Sequence, residues 1–385
     1  MEKHDESRRY MPSLQTSAQG GRVVMDGVDT IMLGSNNYLG LSSHPTVIAR
    51  GLEALSAYGA GMAINPPFVT TPVHEQLSQE LAKFMGVEAV LLFASCTAAN
   101  HGLLSTLMTA DDAIFSDAMN HASIIDGCRL SRARTFVYKS RDIASLEEKL
   151  ASNTHPHRLI ITDGVFSMEG SLAPLKEIIA LAKRNNAMVA VDESHAAGVV
   201  GPHGRGTAAA LGLSAEERQG LIYTGTLSKA FGGAGGGYIA GSYELVDELR
   251  KRARAFIFTT GISPAVAASA VAALAVHNSE PEHYERLWAN TERFRSGLAA
   301  LKFMTESGES PITPILIGDN DLAVEFARGL RAAGVFIPAM VFPIVAEGDA
   351  RLRAQPSAAL NDRDIDEALS ALDKVGTSLG VRRWQ

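Results

Sequence analysis

Lys229 is the residue of this chain whose setting most clearly suggests chemistry. It lies in Thr-Gly-Thr-Leu-Ser-Lys-Ala-Phe-Gly-Gly-Ala-Gly-Gly-Gly, which covers residues 224–237. A lysine among small residues can pack its stem against the backbone, lose hydration and deprotonate more easily than a surface lysine. Such an amine can form a Schiff base with an aldehyde. The glycines follow the lysine, so they indicate a tight backbone passage beside a ligand and not a dinucleotide fingerprint.

A carboxylate that could work with this amine lies upstream, in Val-Asp-Glu-Ser-His (191–195). Asp192 ends an apolar run, and a carboxylate at a rigid strand end can keep a pyridine nitrogen protonated. Lys229 and Asp192 therefore predict the two halves of a pyridoxal 5'-phosphate (PLP) site, one for the aldehyde and one for the ring nitrogen. Taken alone, Asp192 is better explained as a strand-end residue that caps the next turn.

Other polar residues extend the hypothesis, and each has a structural alternative. His195 could bond the cofactor's phenolic oxygen or satisfy a local backbone group, and His121 could stack on the ring or cap a helix. Cys96 and Thr97 follow an apolar run and open a helical segment, so they offer a phosphate site or an ordinary N-cap. Thr226 is a further hydroxyl candidate.

The segment Ala-Arg-Leu-Arg (350–353) places two arginines on one side of a predicted strand. One of them could clamp a substrate carboxylate, and a surface pair is the alternative. The sequence predicts no metal site. The combination of all these residues favours a PLP site more than any single residue does.

Short apolar runs alternate with helical stretches and predict the elements that must position these residues. Strands are expected at 89–93, 113–116, 135–138, 158–162, 187–191, 221–224 and 237–240. This pattern is typical of an α/β fold with a mostly parallel sheet, whose ligands bind at the carboxyl ends of the strands. We expect an N-terminal arm (1–45), a large domain (46–282) and a smaller α+β C-terminal domain (283–385). The last should begin with a long helix at 284–301, followed by a strand–helix–strand unit.

Composition narrows the class of protein. The 385 residues are 46% hydrophobic and 20% charged, and the longest apolar runs are too short to cross a bilayer. The N-terminus lacks the apolar core of a secretory signal, and two cysteines suggest no disulfide framework, so we expect a cytoplasmic protein. The formal charge of −7 argues against nucleic acid as the main partner. Small-molecule chemistry is favoured.

Seven segments carry a family resemblance. They are Leu-Gly-Ser-Asn-Asn-Tyr-Leu-Gly-Leu (33–41), Asp-Ala-Met-Asn-His-Ala-Ser-Ile-Ile-Asp-Gly (117–127), Thr-Asp-Gly-Val-Phe-Ser-Met-Glu-Gly (162–170), Asp-Glu-Ser-His-Ala-Ala-Gly (192–198), Thr-Gly-Thr-Leu-Ser-Lys-Ala-Phe-Gly-Gly (224–233), Phe-Ile-Phe-Thr-Thr-Gly-Ile-Ser-Pro (256–264) and Ala-Arg-Leu-Arg (350–353). In this order they resemble the α-oxoamine synthases. That branch of the fold-type-I PLP-dependent transferases includes 2-amino-3-ketobutyrate CoA ligase and 8-amino-7-oxononanoate synthase.

The resemblance implies a role for each matching residue. Lys229 would hold the cofactor and act as the base at the substrate's α-carbon, with Asp192 at the pyridine nitrogen and His195 at the phenolic oxygen. The resemblance also implies roles for residues around the ring, phosphate and substrate. His121 and Ser167 would lie beside the ring, Cys96, Thr97 and Thr226 near the phosphate, Thr259 and Thr260 on the phosphate of the neighbouring subunit, and Asn36 and Arg353 on the amino acid.

The implied reaction condenses an amino acid with an acyl-thioester, either acyl-CoA or an acyl-carrier protein, usually with loss of CO₂, to give an α-aminoketone. The implied assembly is a homodimer with shared active sites. A PLP-dependent aminotransferase or lyase on the same scaffold stays open, and a silent subunit is disfavoured because Lys229 is present.

The chain departs from the family pattern at Ala63–Thr71, which contains Pro66-Pro67, and at Ile344 and Leu360-Asn361. In relatives the first loop borders the acyl-donor side of the site, so the donor and the amino acid stay unassigned.

Overall fold

The computed structural model describes residues 12–306 and 308–381. Its strands are β1 (Arg22–Met25), β2 (Val28–Met32), β3 (Ala89–Phe93), β4 (Ala113–Asp117), β5 (Arg134–Tyr138), β6 (Arg158–Asp163), β7 (Met188–Asp192), β8 (Leu221–Thr226), β9 (Gly237–Gly241), β10 (Thr313–Gly318), β11 (Val335–Phe336), β12 (Ala339–Met340) and β13 (Ala350–Ala354). Each of the seven strands predicted between residues 89 and 240 is present and begins within one residue of its expected start.

Helices cover both faces of this sheet and lead into the C-terminal part of the chain. They are α1 (Pro45–Tyr58), α2 (Pro72–Met85), α3 (Cys96–Leu107), α4 (Ala122–Ser131), α5 (Ile143–Ala151), α6 (Leu175–Arg184), α7 (Thr207–Ala210), α8 (Ala215–Arg218), α9 (Tyr243–Arg252), α10 (Arg254–Ile257), α11 (Pro264–Ser279), α12 (Glu282–Ala300), α13 (Asn320–Ala332) and α14 (Asp362–Ser378). Among the helices of the described residues, none is long and apolar enough to cross a membrane.

The central sheet has seven strands in the order β3-β9-β8-β7-β6-β4-β5. Strands β8, β7, β6, β4 and β5 are parallel, and β9 is antiparallel to both of its neighbours. The sheet is therefore mostly parallel, as predicted. Its central strands are mostly apolar because helices cover both faces and form two separate buried clusters.

The register of the parallel strands places polar residues in a row at one edge. Asp163, at the end of β6, lies opposite Asp192, at the end of β7. Asp192 in turn lies opposite Thr224 in β8. The carboxyl ends of parallel strands meet at the same edge, so this row is where a ligand site is expected.

A further buried cluster joins α12, α13 and α14 to two small sheets. The predicted strand–helix–strand unit is present as β10, α13 and β11, but its two strands join different sheets. β10 pairs with β13, whereas β11 pairs in parallel with β2 of the N-terminal hairpin. β11 is only two residues long, and backbone bonds to the hairpin at Gly334 and Phe336 hold it there. The domain boundaries near residues 45 and 282 stay predictions.

Candidate active site

A cavity of about 210 Å³ opens at the carboxyl edge of β6, β7 and β8. The predicted residues that line it are Cys96, Thr97, His121, Ser167, Asp192, His195, Thr226 and Lys229. Residues from five different segments of the sequence thus meet in one cavity. Asn36, Arg353, Thr259 and Thr260 do not line it.

Lys229 belongs to a chain of polar contacts at one wall of the cavity. Its Nζ lies 2.7 Å from His195 Nε2, and His195 Nδ1 lies 2.8 Å from the hydroxyl of Tyr38. Burial lowers the pKa of Lys229 to about 8, although the charge of Asp192 opposes that shift. Burial and the charge of Lys229 also lower the pKa of His195 well below its ordinary value. His195 is therefore neutral and can relay a hydrogen bond between Tyr38 and the amine.

Asp192 keeps its negative charge although it is buried. Burial alone would raise its pKa, but hydrogen bonds from Ser194 and Asn100 and the charge of Lys229 outweigh burial and lower it. Asn100 Nδ2 donates to Asp192 Oδ2 at 2.8 Å, and the backbone N–H of Ser194 donates to Oδ1 at 2.9 Å. Asp192 thus offers a fixed anion to a protonated ring nitrogen.

The start of α3 forms another wall of the cavity. Ser95 caps the helix by accepting a hydrogen bond from the N–H of Ala98 at 3.1 Å, and Cys96 and Thr97 form its first turn. The N-terminus of a helix attracts anions such as phosphate. Gly237 lies so close to this turn that a Cβ there would be 2.3 Å from the backbone nitrogen of Cys96.

His121 caps α4, as one of its predicted alternatives had it, and its stacking on the cofactor ring stays a prediction. Its Nδ1 accepts a hydrogen bond from the N–H of Ser123 and so caps α4, while the ring also lines the cavity. Its own backbone N–H donates to Asp163 Oδ2 at 3.2 Å. Burial lowers the pKa of His121, which keeps the imidazole neutral and suited to stacking.

The donor set of this cavity fits PLP. The cavity is lined by an amine whose pKa is lowered, a buried carboxylate and a helix N-terminus. These are the groups that an aldehyde, a pyridine nitrogen and a phosphate require. A Cβ at Gly237 would press into the turn that opens α3.

Comparison with known proteins decides the family. A model of the aminotransferase class I and II family matches residues 28–372. The chain belongs to the aminotransferase class I and II family. Two curated relatives indicate the branch of this family. One is an 8-amino-7-oxononanoate synthase of Symbiobacterium thermophilum, which is 43% identical, with 97% of this chain and 95% of the relative covered. The 2-amino-3-ketobutyrate coenzyme A ligase of Escherichia coli K12 is 42% identical, with coverage of 95% and 92%.

Solved structures agree with this placement. A serine palmitoyltransferase from S. paucimobilis with a bound PLP–myriocin aldimine superposes with a TM-score of 0.91 at 31% identity, over 96% of this chain and 93% of that chain. An 8-amino-7-oxononanoate synthase from Francisella tularensis gives 0.77 at 28% identity, over 91% and 99%. The resemblance to the α-oxoamine synthases is thus confirmed, and this family member is a PLP-dependent acyltransferase of that type.

Arg353 of this family member lies next to the cavity and not in its lining. Its Nε donates to the backbone carbonyl of Ser167, and its Nη2 is buried with no hydrogen-bond partner among the described residues. The other arginine of β13, Arg351, lies 3.2 Å from Glu306. Both arginines are buried, so the surface-pair alternative is wrong.

Asn36 lines a wider neighbouring cleft of about 750 Å³. Ser228 lines this cleft and the Lys229 cavity, so the two spaces adjoin. The Oδ1 of Asn36 is buried without a partner among the described residues. Thr259 is half-buried and Thr260 exposed on the same chain, and their predicted role at a neighbouring site stays a prediction.

The structure explains some of the segments that depart from the family pattern. Asn65 Nδ2 donates to the carbonyl of Ile257 at 2.6 Å, so the Ala63–Thr71 loop is tied to the segment before Thr259, and it covers an apolar pocket of about 250 Å³. Leu360 is buried, and Asn361 begins α14 with a reciprocal capping box. Ile344 is half exposed.

Asp163 and Tyr38 are among the site residues to which the sequence assigned no role. Asp163 lines the cavity, and burial together with the charge of Asp192 raises its pKa well above the ordinary value. A polar residue at the end of a predicted strand was the signal that could have identified it. Tyr38 is completely buried against His195, and only its position inside a matching segment could have drawn attention to it.

Proposed function

We propose that this acyltransferase uses Lys229 to move the α-proton of an amino acid that it then joins to an acyl-thioester, usually with loss of CO₂. The observation that carries the proposal is the position of the Lys229 amine, 2.7 Å from a neutral histidine and inside a cavity that the buried anion Asp192 also lines. An amine of pKa about 8 can hold and release a proton near neutral pH.

The neighbouring side chains support the reaction by orientation and charge. When bound, PLP supplies an electron sink for the α-carbon of the amino acid. Asp192 would keep the ring nitrogen protonated, and His195, held by Tyr38, would bond the phenolic oxygen. Cys96, Thr97 and Thr226 would contact the phosphate.

Two residues would bind the amino acid outside the ring site. The free Nη2 of Arg353 can donate to a substrate carboxylate, and the free Oδ1 of Asn36 can accept from a polar group in the adjoining cleft. The thioester would enter on the side of the Ala63–Thr71 loop, as CoA or on a carrier protein.

We also place the enzyme in the cytoplasm as a homodimer with shared sites. Both cysteines are free, which suits a reducing compartment. Thr259 and Thr260 do not reach the cavity of their own chain, which supports a contribution to the neighbouring subunit's phosphate site.

The test is a panel assay with the PLP-loaded enzyme. Purified protein is incubated with single amino acids and a set of acyl-CoAs while the absorbance of bound PLP and the release of free thiol are followed. We expect one pairing to change the absorbance and release thiol, and Lys229→Ala to lower the rate by at least about 10²-fold. Transfer of the amino group without thiol release would instead indicate an aminotransferase, and no spectral response to any amino acid would contradict the proposal.

A further inference from the structure

Three side chains that could bind a metal meet outside the active-site cavity. His44 precedes α1, Glu280 follows α11, and His283 lies in the first turn of α12. One ligand atom from each lies within 4.8 Å of the other two. No metal site was predicted here, and His44 is more than two hundred positions away from the other two residues.

The distances in this cluster are too long for hydrogen bonds and suit a shared ion. Nε2 of His44 lies 3.6 Å from Glu280 Oε2, and Nε2 of His283 lies 3.4 Å from the same oxygen. An N–H···O bond requires about 2.7–3.2 Å. Around a tetrahedral ion with bonds of about 2.0–2.1 Å, neighbouring ligand atoms are about 3.3 Å apart. The two N···O distances are therefore close to the spacing of neighbouring ligand atoms around such an ion.

The two imidazoles approach the carboxylate of Glu280 from different elements. The rings are edge to face, with centroids 5.6 Å apart, and both present Nε2 to one carboxylate oxygen. The Nδ1 atoms on their far sides are buried without a partner among the described residues. The side chains of His44, Glu280 and His283 are 18%, 37% and 12% exposed, so the cluster is open to solvent on one side.

We propose that His44, Glu280 and His283 form a binding site for a divalent transition metal of the Zn²⁺ class, with water as the fourth ligand. Two imidazoles and one carboxylate are a ligand set for such ions, whereas Ca²⁺ and Mg²⁺ prefer oxygen ligands throughout. The site holds no group of the acyl-transfer reaction, so the proposal stands independently of the proposed function.

The bound ion would link three helices, α1, α11 and α12. It joins the start of α1 to the end of α11 and the start of α12, which is the helix that leads from the large core to the C-terminal cluster. The turn before His44, Leu41–Ser43, packs against Gly232 and Gly233 in the segment that carries Lys229. Metal binding should therefore raise the melting temperature of the enzyme.

The experiment uses PLP-loaded enzyme without an affinity tag and freed of metal by chelation. Zn²⁺ is titrated against a chromophoric chelator, and Co²⁺ serves as the spectroscopic probe. We expect one Zn²⁺ per chain, and at least about tenfold weaker binding in both His283→Gln and Glu280→Gln. His157→Gln is the matched control, because His157 is exposed and lies away from the cluster in sequence and structure; it should bind as the unaltered enzyme does.

Two results would overturn the proposal. One is failure of the unaltered enzyme to bind Zn²⁺ at micromolar concentration, and the other is unchanged affinity in both cluster variants, which would place the metal elsewhere. The PLP absorbance of each variant reports whether it is folded. Should a variant be misfolded, the Co²⁺ spectrum of the unaltered enzyme decides: bands of tetrahedral nitrogen and oxygen coordination support the site, and thiolate charge-transfer bands or the spectrum of the free ion refute it.

Discussion

Lys229 owes its reactivity to competing electrostatic effects within one small cavity. Burial favours its neutral amine, and the anion Asp192 favours its charged form. The second carboxyl, Asp163, also favours the charged form, although burial and Asp192 raise its own pKa well above the ordinary value. Burial outweighs these charges, and the balance leaves the pKa of Lys229 at about 8.

This pKa predicts how the enzyme without cofactor takes up PLP as the pH changes. Only the neutral amine attacks the aldehyde, so the association rate should rise with pH and level off above a midpoint near pH 8. Stopped-flow absorbance of PLP binding between pH 6 and pH 10.5 measures the profile. A midpoint near the ordinary lysine value would contradict the role of burial.

At the scale of elements, the antiparallel strand β9 determines how closely the segment after Lys229 approaches the start of α3. β9 brings Gly237 against the first turn of α3, where a Cβ would be 2.3 Å from the nitrogen of Cys96 and 2.4 Å from the carbonyl carbon of Ser95. Both of these are backbone atoms, which cannot move aside as a flexible side chain can. The geometry of the proposed phosphate site thus depends on the absence of a side chain at Gly237 in β9.

Gly237→Ala should therefore damage the cofactor site and the fold together. We expect a loss of about 1–3 kcal/mol in the free energy of unfolding and weaker PLP binding, because the backbone of α3 must shift. Gly20→Ala is the control, since a Cβ at Gly20 would meet only an ordinary contact at 3.5 Å. Denaturant unfolding and PLP titration measure both effects, and equal behaviour of the two variants would contradict the argument.

The elements also show what the sequence could and could not predict. The central strands are continuous apolar runs with clear ends, so their bounds and the motif residues at those ends followed from local pattern. The pairing of β11 with β2 could not be predicted from local pattern, because a two-residue strand carries no pattern and its partner is some three hundred positions away. The contacts of Tyr38 with His195 and of Asp163 with Asp192 depend on strand register and packing, which no local segment encodes.

For the whole molecule, the exposed face of α1 is the clearest indication of an assembly. Ile48, Leu52 and Leu55 recur at the spacing of one helix face and are each at least 43% exposed, with Leu52 at 60%. Phe68 in the Ala63–Thr71 loop and Phe258 are 75% and 67% exposed. Exposed apolar residues along one helix face are typical of a protein interface, which supports the proposed homodimer.

Leu52→Glu should convert the enzyme to a monomer and abolish most of its activity, because a charge at the centre of an apolar interface is left without a partner. Leu130→Glu is the control, since Leu130 is similarly exposed (56%) on a different helix, α4. Light scattering gives the mass and the thiol-release assay gives the activity. A dimeric, active Leu52→Glu enzyme would show that α1 is not the interface.

Arg353 connects the C-terminal cluster to the edge of the active-site cavity before any substrate is present. It lies in β13 of the C-terminal cluster and donates to the carbonyl of Ser167 beside the PLP cavity, while Nη2 is still available. With its long side chain already immobilised, the arginine loses little rotamer freedom when it binds a carboxylate in its proposed role. Selectivity for amino acids would then arise from preorganisation, because a substrate must match a guanidinium that is already fixed in place.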